Sequence, residues 1–379
     1  MPQKIKILHL VDHLGSGGVQ EIIKNLVISL DASKFDHEII YFFNSHTYRN
    51  DFVRLGVPVH CLNFGRYSYP NVVINLANPF RYVQLLRQLR SKKADVVHIH
   101  LYYAYILGVI ANGLYRKSRV LYTMHAMKNQ VPIFFILMGW FSTFVRHYVA
   151  DLPAIADEMR RMIHNKNIQT ITVSTPLLHE TKSDPSAVRS EFRISVTDPI
   201  ALSIARLHSQ KGHIYQVSAF RRVVEKTPRA RLIIVGSGPE KERLRALIQS
   251  SGLKDNIFLA GFRRNIVDFY DCCDVFISTP QNESLGLVIL DALARAKPVV
   301  AFDVGAIHKT ISNDVNGFLI KKFDTSELAE KITLLFRDRR LRERMGSRGR
   351  QLIQEQYSYA NFTREYESVY EMLAQEHMT

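Results

Sequence analysis

The sequence predicts an α/β chain built of two doubly wound domains in tandem. Three observations carry that reading. Short apolar runs alternate with longer stretches of helical spacing from one end of the chain to the other. The alternation pauses once, between Ser174 and Pro199, where Pro176, Pro185 and Pro199 stand among many polar residues. Glycines collect where apolar runs give way to helical patterns, and doubly wound sheets bind ligands beyond those strand ends.

The elements follow in order. Ile5–Val11 reads as a strand and Gln20–Leu30 as a helix, with apolar residues at helical spacing. His37–Phe43 is strand-like, Pro79–Leu89 helical and Asp95–His100 a strand. Val120–Met124, Tyr148–Ala150 and Ile168–Val173 complete the first set of strands. After the pause come strands Ile200–Ala205, Ala230–Val235, Ile257–Ala260, Val275–Ser278 and Pro298–Phe302. Between them lie helices Ile214–Glu225, Glu240–Ser250, Ile266–Cys272 and Leu287–Arg295. The stretch from Asp324 to Met378 is charged and mostly helical.

Length and composition agree with this plan. The 379 residues suffice for two ordinary domains, and 46% hydrophobic residues allow each a core. Charged residues, at 22%, exclude a largely disordered chain. The net charge of +15 is concentrated: residues 51–150 hold 12 Lys/Arg against Asp51 and Asp95, an excess of +10. That excess fits an anionic membrane surface, a phosphorylated substrate or nucleic acid, or simply a solubilising face. No nucleic-acid motif accompanies it, so nucleic-acid binding is not expected. The three cysteines, Cys61, Cys272 and Cys273, offer neither a disulfide framework nor zinc spacing, and point to a reducing cytoplasm. No signal peptide is expected. The apolar run Val131–Val145 is shorter than the ~20 residues of a spanning helix. It suits either a helix lying in a membrane interface, with Trp140 at headgroup depth, or a buried helix of the first domain.

The loops carry the chemistry. Asp12-His13-Leu14-Gly15-Ser16-Gly17-Gly18 precedes a helix, and its glycines let the backbone approach a phosphate at the helix N-terminus, or form a plain tight turn. It lacks the last glycine of the dinucleotide fingerprint, and no acidic residue ends the second strand, so nicotinamide cofactors are disfavoured. His98 and His100 share a strand face, and His125 stands at a carboxyl strand end. A metal held by these histidines has no supporting carboxylate spacing. Arg206 and Lys211-Gly212 precede a helix, where two cations can neutralise a diphosphate. Gly236-Ser237-Gly238-Pro239 and Gly261-Phe262-Arg263 follow further strands. The most informative loop runs from Ser278 through Glu283, Ser284, Leu285, Gly286 and Leu287 to Asp291. Its two carboxylates can accept hydroxyl hydrogen bonds from sugar and ribose rings, while Gly286 admits close backbone approach.

Taken in order, these residues resemble glycosyltransferase family 4, a retaining family of GT-B fold with two Rossmann-like domains facing an interdomain cleft. The resemblance spans nearly the whole chain and is tightest from Ile200 to Leu319. It implies an acceptor-side domain over residues 1–176, a linker over 177–199, a donor domain over 200–357, and a C-terminal helix, 358–379, returning to the first domain. It also implies site roles. Arg206 and Lys211 resemble the pair that holds the donor diphosphate, and Glu283 the residue that meets the transferred sugar. Asp291 stands where the family usually has the glutamate that binds ribose. His125 resembles the histidine near the sugar, and Gly17 and Gly18 the loop beside the phosphates. Phe262 and Arg263 resemble the loop whose backbone meets the base, and Gly236, Ser284, Leu285, Gly286 and Leu287 fall with the donor. A second departure follows Gly305, where Ala306, Ile307 and His308 replace the family's usual residues.

The activity so implied is transfer of a sugar from a nucleoside diphosphate donor, UDP-sugar ahead of GDP-sugar, with retained configuration. The expected acceptor is a glycan or lipid-linked glycan of surface polysaccharide, lipopolysaccharide or glycolipid synthesis, met at the inner face of the cytoplasmic membrane. No cofactor and no metal are expected, because the chain holds no DxD sequence. Two alternatives share the architecture: a hydrolysing UDP-sugar 2-epimerase, and a nucleotide-sugar-binding subunit without activity.

Overall fold

The computed structural model describes residues 4–15, 17–68, 74–115, 118–125, 132–163, 167–175, 182–283 and 286–378. The chain divides into two compact units, Met1–Val173 with Tyr359–Thr379, and Ser174–Ser358.

The first unit runs β1 (Ile5–Val11), α1 (Gly18–Ser29), β2 (Phe35–Tyr41), α2 (Arg49–Arg54), β3 (Val59–Cys61), α3 (Pro79–Lys92), β4 (Val96–His100), α4 (Tyr102–Tyr115), β5 (Arg119–Met124), α5 (Pro132–Phe141), β6 (His147–Ala150), α6 (Pro153–Met162) and β7 (Ile168–Thr170). Its seven strands pair in parallel in the order β3-β2-β1-β4-β5-β6-β7. Strands covered on both faces read as unbroken apolar runs, and Ile7, Leu8, Leu10 and Val11 of β1 are all buried. Helix α4 has no clear sequence signal. It is apolar nearly all round because it is buried nearly all round, from Tyr103 to Asn112, so no amphipathic stripe marks it.

The second unit runs α7 (Pro185–Glu191), β8 (Ile200–Ile204), α8 (His213–Lys226), β9 (Arg231–Val235), α9 (Lys241–Ser250), β10 (Ile257–Gly261), α10 (Ile266–Cys272), β11 (Val275–Ser278), α11 (Leu287–Ala294), β12 (Val299–Phe302), β13 (Gly317–Ile320), α12 (Thr325–Arg337) and α13 (Arg339–Gln356). Six parallel strands lie in the order β10-β9-β8-β11-β12-β13. The stretch expected as a linker behaves otherwise over its described residues. Pro185 opens α7 at its first turn, where a missing N–H costs nothing. Ser183 Oγ donates to Asp271 Oδ2 at 2.6 Å and the Asp184 amide to Asp268 Oδ1 at 2.7 Å, so this segment is fastened to α10.

The C-terminal helix Tyr359–Met378 packs within the first unit. Tyr366 and Tyr370 are fully buried, and Tyr359 Oη donates to the Asn25 carbonyl at 3.0 Å. Lys34 pairs with Glu367 at 2.7 Å and Arg146 with Glu376 at 2.6 Å.

Candidate active site

In a doubly wound sheet the strand order reverses once, and a ligand fits beyond the carboxyl ends at that reversal. In the second unit the reversal falls between β8 and β11. The loop after β8 carries Arg206 and Lys211, and the loop after β11 carries Glu283. The two loops are joined by hydrogen bonds. Thr279 Oγ1 donates to the Gly212 carbonyl at 3.0 Å, the Gln281 amide to Gln210 at 2.8 Å, and Gln281 Nε2 to Ser209 at 3.1 Å. On this frame Lys211 Nζ donates to Glu283 Oε2 at 2.5 Å, with the two side chains 25% and 19% exposed. Arg206 is exposed, and its guanidinium makes no hydrogen bond or ion pair among the described residues. Helix α8 begins at His213, so Lys211 stands just before its positive end, with Arg206 earlier on the same loop. Two cations and a helix N-terminus suit a diphosphate.

Two glycines hold this frame. An added Cβ on Gly236, at φ +148°, would lie 1.9 Å from the Ala205 carbonyl oxygen, so Gly236 braces the base of the Arg206 loop. On Gly305, at φ +60°, it would lie 1.8 Å from the Glu283 carbonyl oxygen, which also accepts the Ala306 amide at 3.3 Å.

The other expected donor residues divide. Gly286 precedes α11 at φ +74°, and Leu287 is the first residue of that helix. Ser284 and Leu285 lie outside the described residues. Asp291, a turn into α11, accepts a hydrogen bond from Thr175 Oγ1 at 2.5 Å, a partner sequence reading had not given it. Phe262 is exposed, whereas the Arg263 side chain is committed elsewhere: Nε donates to the Ala260 carbonyl at 2.9 Å and Nη2 to Glu191. Any contact of that loop with a base falls to its backbone and to Phe262.

In the first unit the reversal lies between β1 and β4. Gly17 precedes α1, Gly18 opens it exposed, and Gln20 Nε2 fixes the loop by donating to the His13 carbonyl at 2.8 Å. Asp12, just past β1, is buried and accepts the Ala104 amide at 2.7 Å. Burial pushes its carboxyl up to about 7, against the pull of the Ala104 and Tyr103 amides and the Tyr67 hydroxyl. His125 lies past β5 with its side chain 5% exposed. Its Nδ1 is 2.7 Å from Asp151 Oδ2, and its Nε2 is 3.2 Å from His100 Nδ1. Both ring nitrogens are therefore occupied. His9, His98 and His100 are the group of described residues whose ligand atoms, all within 4.8 Å of one another, could surround a metal ion. The segment expected as either an interfacial or a buried helix has a buried residue and exposed apolar residues along α5 and the turn after it. Met138 is buried, while Ile136, Trp140 and Phe144, four residues apart, are 59%, 74% and 47% exposed.

Two family models match successive parts of the chain: Glycosyltransferase Family 4 over residues 16–173, and Glycosyl transferases group 1 over residues 186–352. The chain belongs to glycosyltransferase family 4. This glycosyltransferase is 25% identical over 350 residues to N-acetyl-alpha-D-glucosaminyl L-malate synthase of Bacillus anthracis, covering 88% of this chain and 89% of that one. It is also 25% identical, over 282 residues, to alpha-monoglucosyldiacylglycerol synthase of Acholeplasma laidlawii, covering 64% and 66%. Among solved structures, Anabaena HepE in complex with UDP and glucose is similar at a TM-score of 0.82 and 18% identity, covering 96% of this chain and 99% of that one. Its two Rossmann-like sheets are thus a GT-B fold. Within the glycosyltransferase, the departure after Gly305 is accommodated locally: Ala306 and Ile307 are buried, and His308 points to solvent beside Asp303.

Proposed function

We propose that this glycosyltransferase moves a sugar from a UDP-sugar, with retained configuration and without a metal, to a lipid-linked or other glycan acceptor at an anionic membrane surface. The observation that carries the reading is the Lys211–Glu283 pair before α8, on the loop that also carries Arg206. The two cations and the helix end neutralise the donor diphosphate and the charge that grows on it as the bond to the sugar breaks. Glu283 offers a carboxylate to the sugar hydroxyls. The acceptor oxygen forms its bond to the anomeric carbon as the phosphate oxygen leaves, and its proton passes to that departing phosphate. Such a reaction needs no pair of catalytic carboxylates. UDP is favoured because the similar HepE structures carry it. The apolar stripe of Ile136, Trp140 and Phe144, in a region carrying +10, supports a membrane face.

A screen of UDP- and GDP-sugars, scoring nucleotide release with and without EDTA, tests the donor and the metal together. Release only from GDP-sugars, or only with a divalent ion, overturns those parts. A changed sugar from donor alone would make the chain an epimerase. Flotation with phosphatidylglycerol vesicles tests the membrane. The native chain should float at low salt and Trp140→Ser less so; no flotation of either overturns that part.

A further inference from the structure

Four histidines and one aspartate form an unbroken hydrogen-bonded line through the first unit. His37 Nδ1 lies 3.0 Å from His9 Nε2, and His9 Nδ1 3.1 Å from His100 Nε2. His100 Nδ1 lies 3.2 Å from His125 Nε2, and His125 Nδ1 2.7 Å from Asp151 Oδ2. The line follows the strand order. It passes from β2 through β1 and β4 to the residues just past β5 and β6, climbing from near the start of β2 to the carboxyl ends. His9, His37 and His100 are all buried.

Counting hydrogens gives the line a direction. A neutral imidazole has one donor and one acceptor, and a carboxylate only accepts. Asp151 therefore requires the His125 proton on Nδ1. His125 Nε2 must then accept from His100, His100 Nε2 from His9, and His9 Nε2 from His37. The far end agrees independently: His37 Nε2 is buried without a partner, and in this direction it is a lone pair rather than a stranded N–H. The reverse direction would set two lone pairs face to face at 2.7 Å between His125 and Asp151. It would forfeit that charge-assisted bond. Burial holds His9 and His100 far below the usual histidine range and His37 down to about 4, so these three rings stay uncharged near neutrality.

We propose that Asp151 is a positioning residue that fixes the proton of His125, His100, His9 and His37 on Nδ1 along this one line. His125 is then left with no nitrogen to act as base or donor toward a ligand. Its assignment to the transfer site rests on the function proposed above, but the proton positions do not. A metal at His9, His98 and His100 is the competing arrangement. It would have to displace bonds already made by both nitrogens of each ring, including those of His98 to Tyr370 at 2.7 Å and Thr123 at 2.7 Å.

Long-range proton–nitrogen correlation spectra of the full chain with labelled histidine read these positions directly, whatever the enzyme's activity. The expected result is Nδ1–H at all four histidines in the native protein, unchanged by equimolar zinc. In Asp151→Ala, His125 and His100 should become mixtures of the two tautomers. Nε2–H at any of the four in the native protein overturns the proposal. So does zinc uptake that shifts His9, His98 and His100 together, or Nδ1–H persisting at all four in folded Asp151→Ala. If that variant does not fold, the native spectra decide.

Discussion

Lys211 Nζ and Glu283 Oε2 meet at 2.5 Å, 72 residues apart in sequence, so the cation expected to hold phosphate is held by the anion expected to meet sugar. The pair is partly exposed, so its removal should cost less stability than that of a fully buried pair. Lys211→Ala should therefore stay folded and lose transfer by about a hundredfold or more, the scale of a lost transition-state contact. Steady-state kinetics beside a melting curve checks both halves. Near-native turnover would count against the site.

Glu283→Gln separates binding from chemistry. Without the carboxylate, Lys211 is free for phosphate. UDP should bind several-fold tighter by calorimetry at low salt, while transfer falls. Weaker UDP binding with unchanged turnover would deny the coupling.

Gly305→Ala should damage the site through the backbone. Its Cβ would press on the Glu283 carbonyl oxygen at 1.8 Å, from a φ of +60° that alanine rarely adopts. We expect a melting point lower by several degrees and transfer largely lost. Native behaviour in both would mean the loop relaxes freely.

Asp291 is a test of reach. If it meets the ribose despite its bond to Thr175, Asp291→Ala should raise donor KM about tenfold with kcat little changed. It should also erase the native preference for UDP-sugar over the 2′-deoxy donor. An unchanged preference would leave Asp291 a structural partner of Thr175.

Asp12 sets a pH dependence. Burial pushes its folded carboxyl up to about 7, above the usual range for an unfolded chain, so between those values the native state holds a proton that the unfolded state has lost. Its stabilising share is full below the unfolded value, falls as pH rises, and is gone above about 7. Asp12→Asn lacks that slope. Melting points from pH 4 to 8 should show the native chain falling progressively relative to Asp12→Asn. Parallel curves would sink this.

Much of the candidate site in the second unit is legible along the chain. Arg206, Lys211, Glu283 and Gly286 each sit where an apolar run ends and a helix begins, and a strand-to-helix loop in a parallel sheet faces the ligand side. The bond between Lys211 and Glu283 is not legible, because it depends on β8 and β11 being neighbours although β9 and β10 separate them in sequence. Asp291 shows what position alone leaves out: it stands in family order, and its bond to Thr175 appears only in the fold.

The sequence by itself determined the two doubly wound sheets and the loops that carry Arg206, Lys211 and Glu283, since hydrophobic period and glycine placement are local properties. Tertiary structure alone decided the histidine line. His98-Ile99-His100 announces one face of one strand, but His37, His9, His125 and Asp151 come from four other elements. They meet because parallel pairing interleaves strands out of chain order and sets each register, and because only a buried, uncharged row of imidazoles leaves the end carboxylate to direct every proton in it.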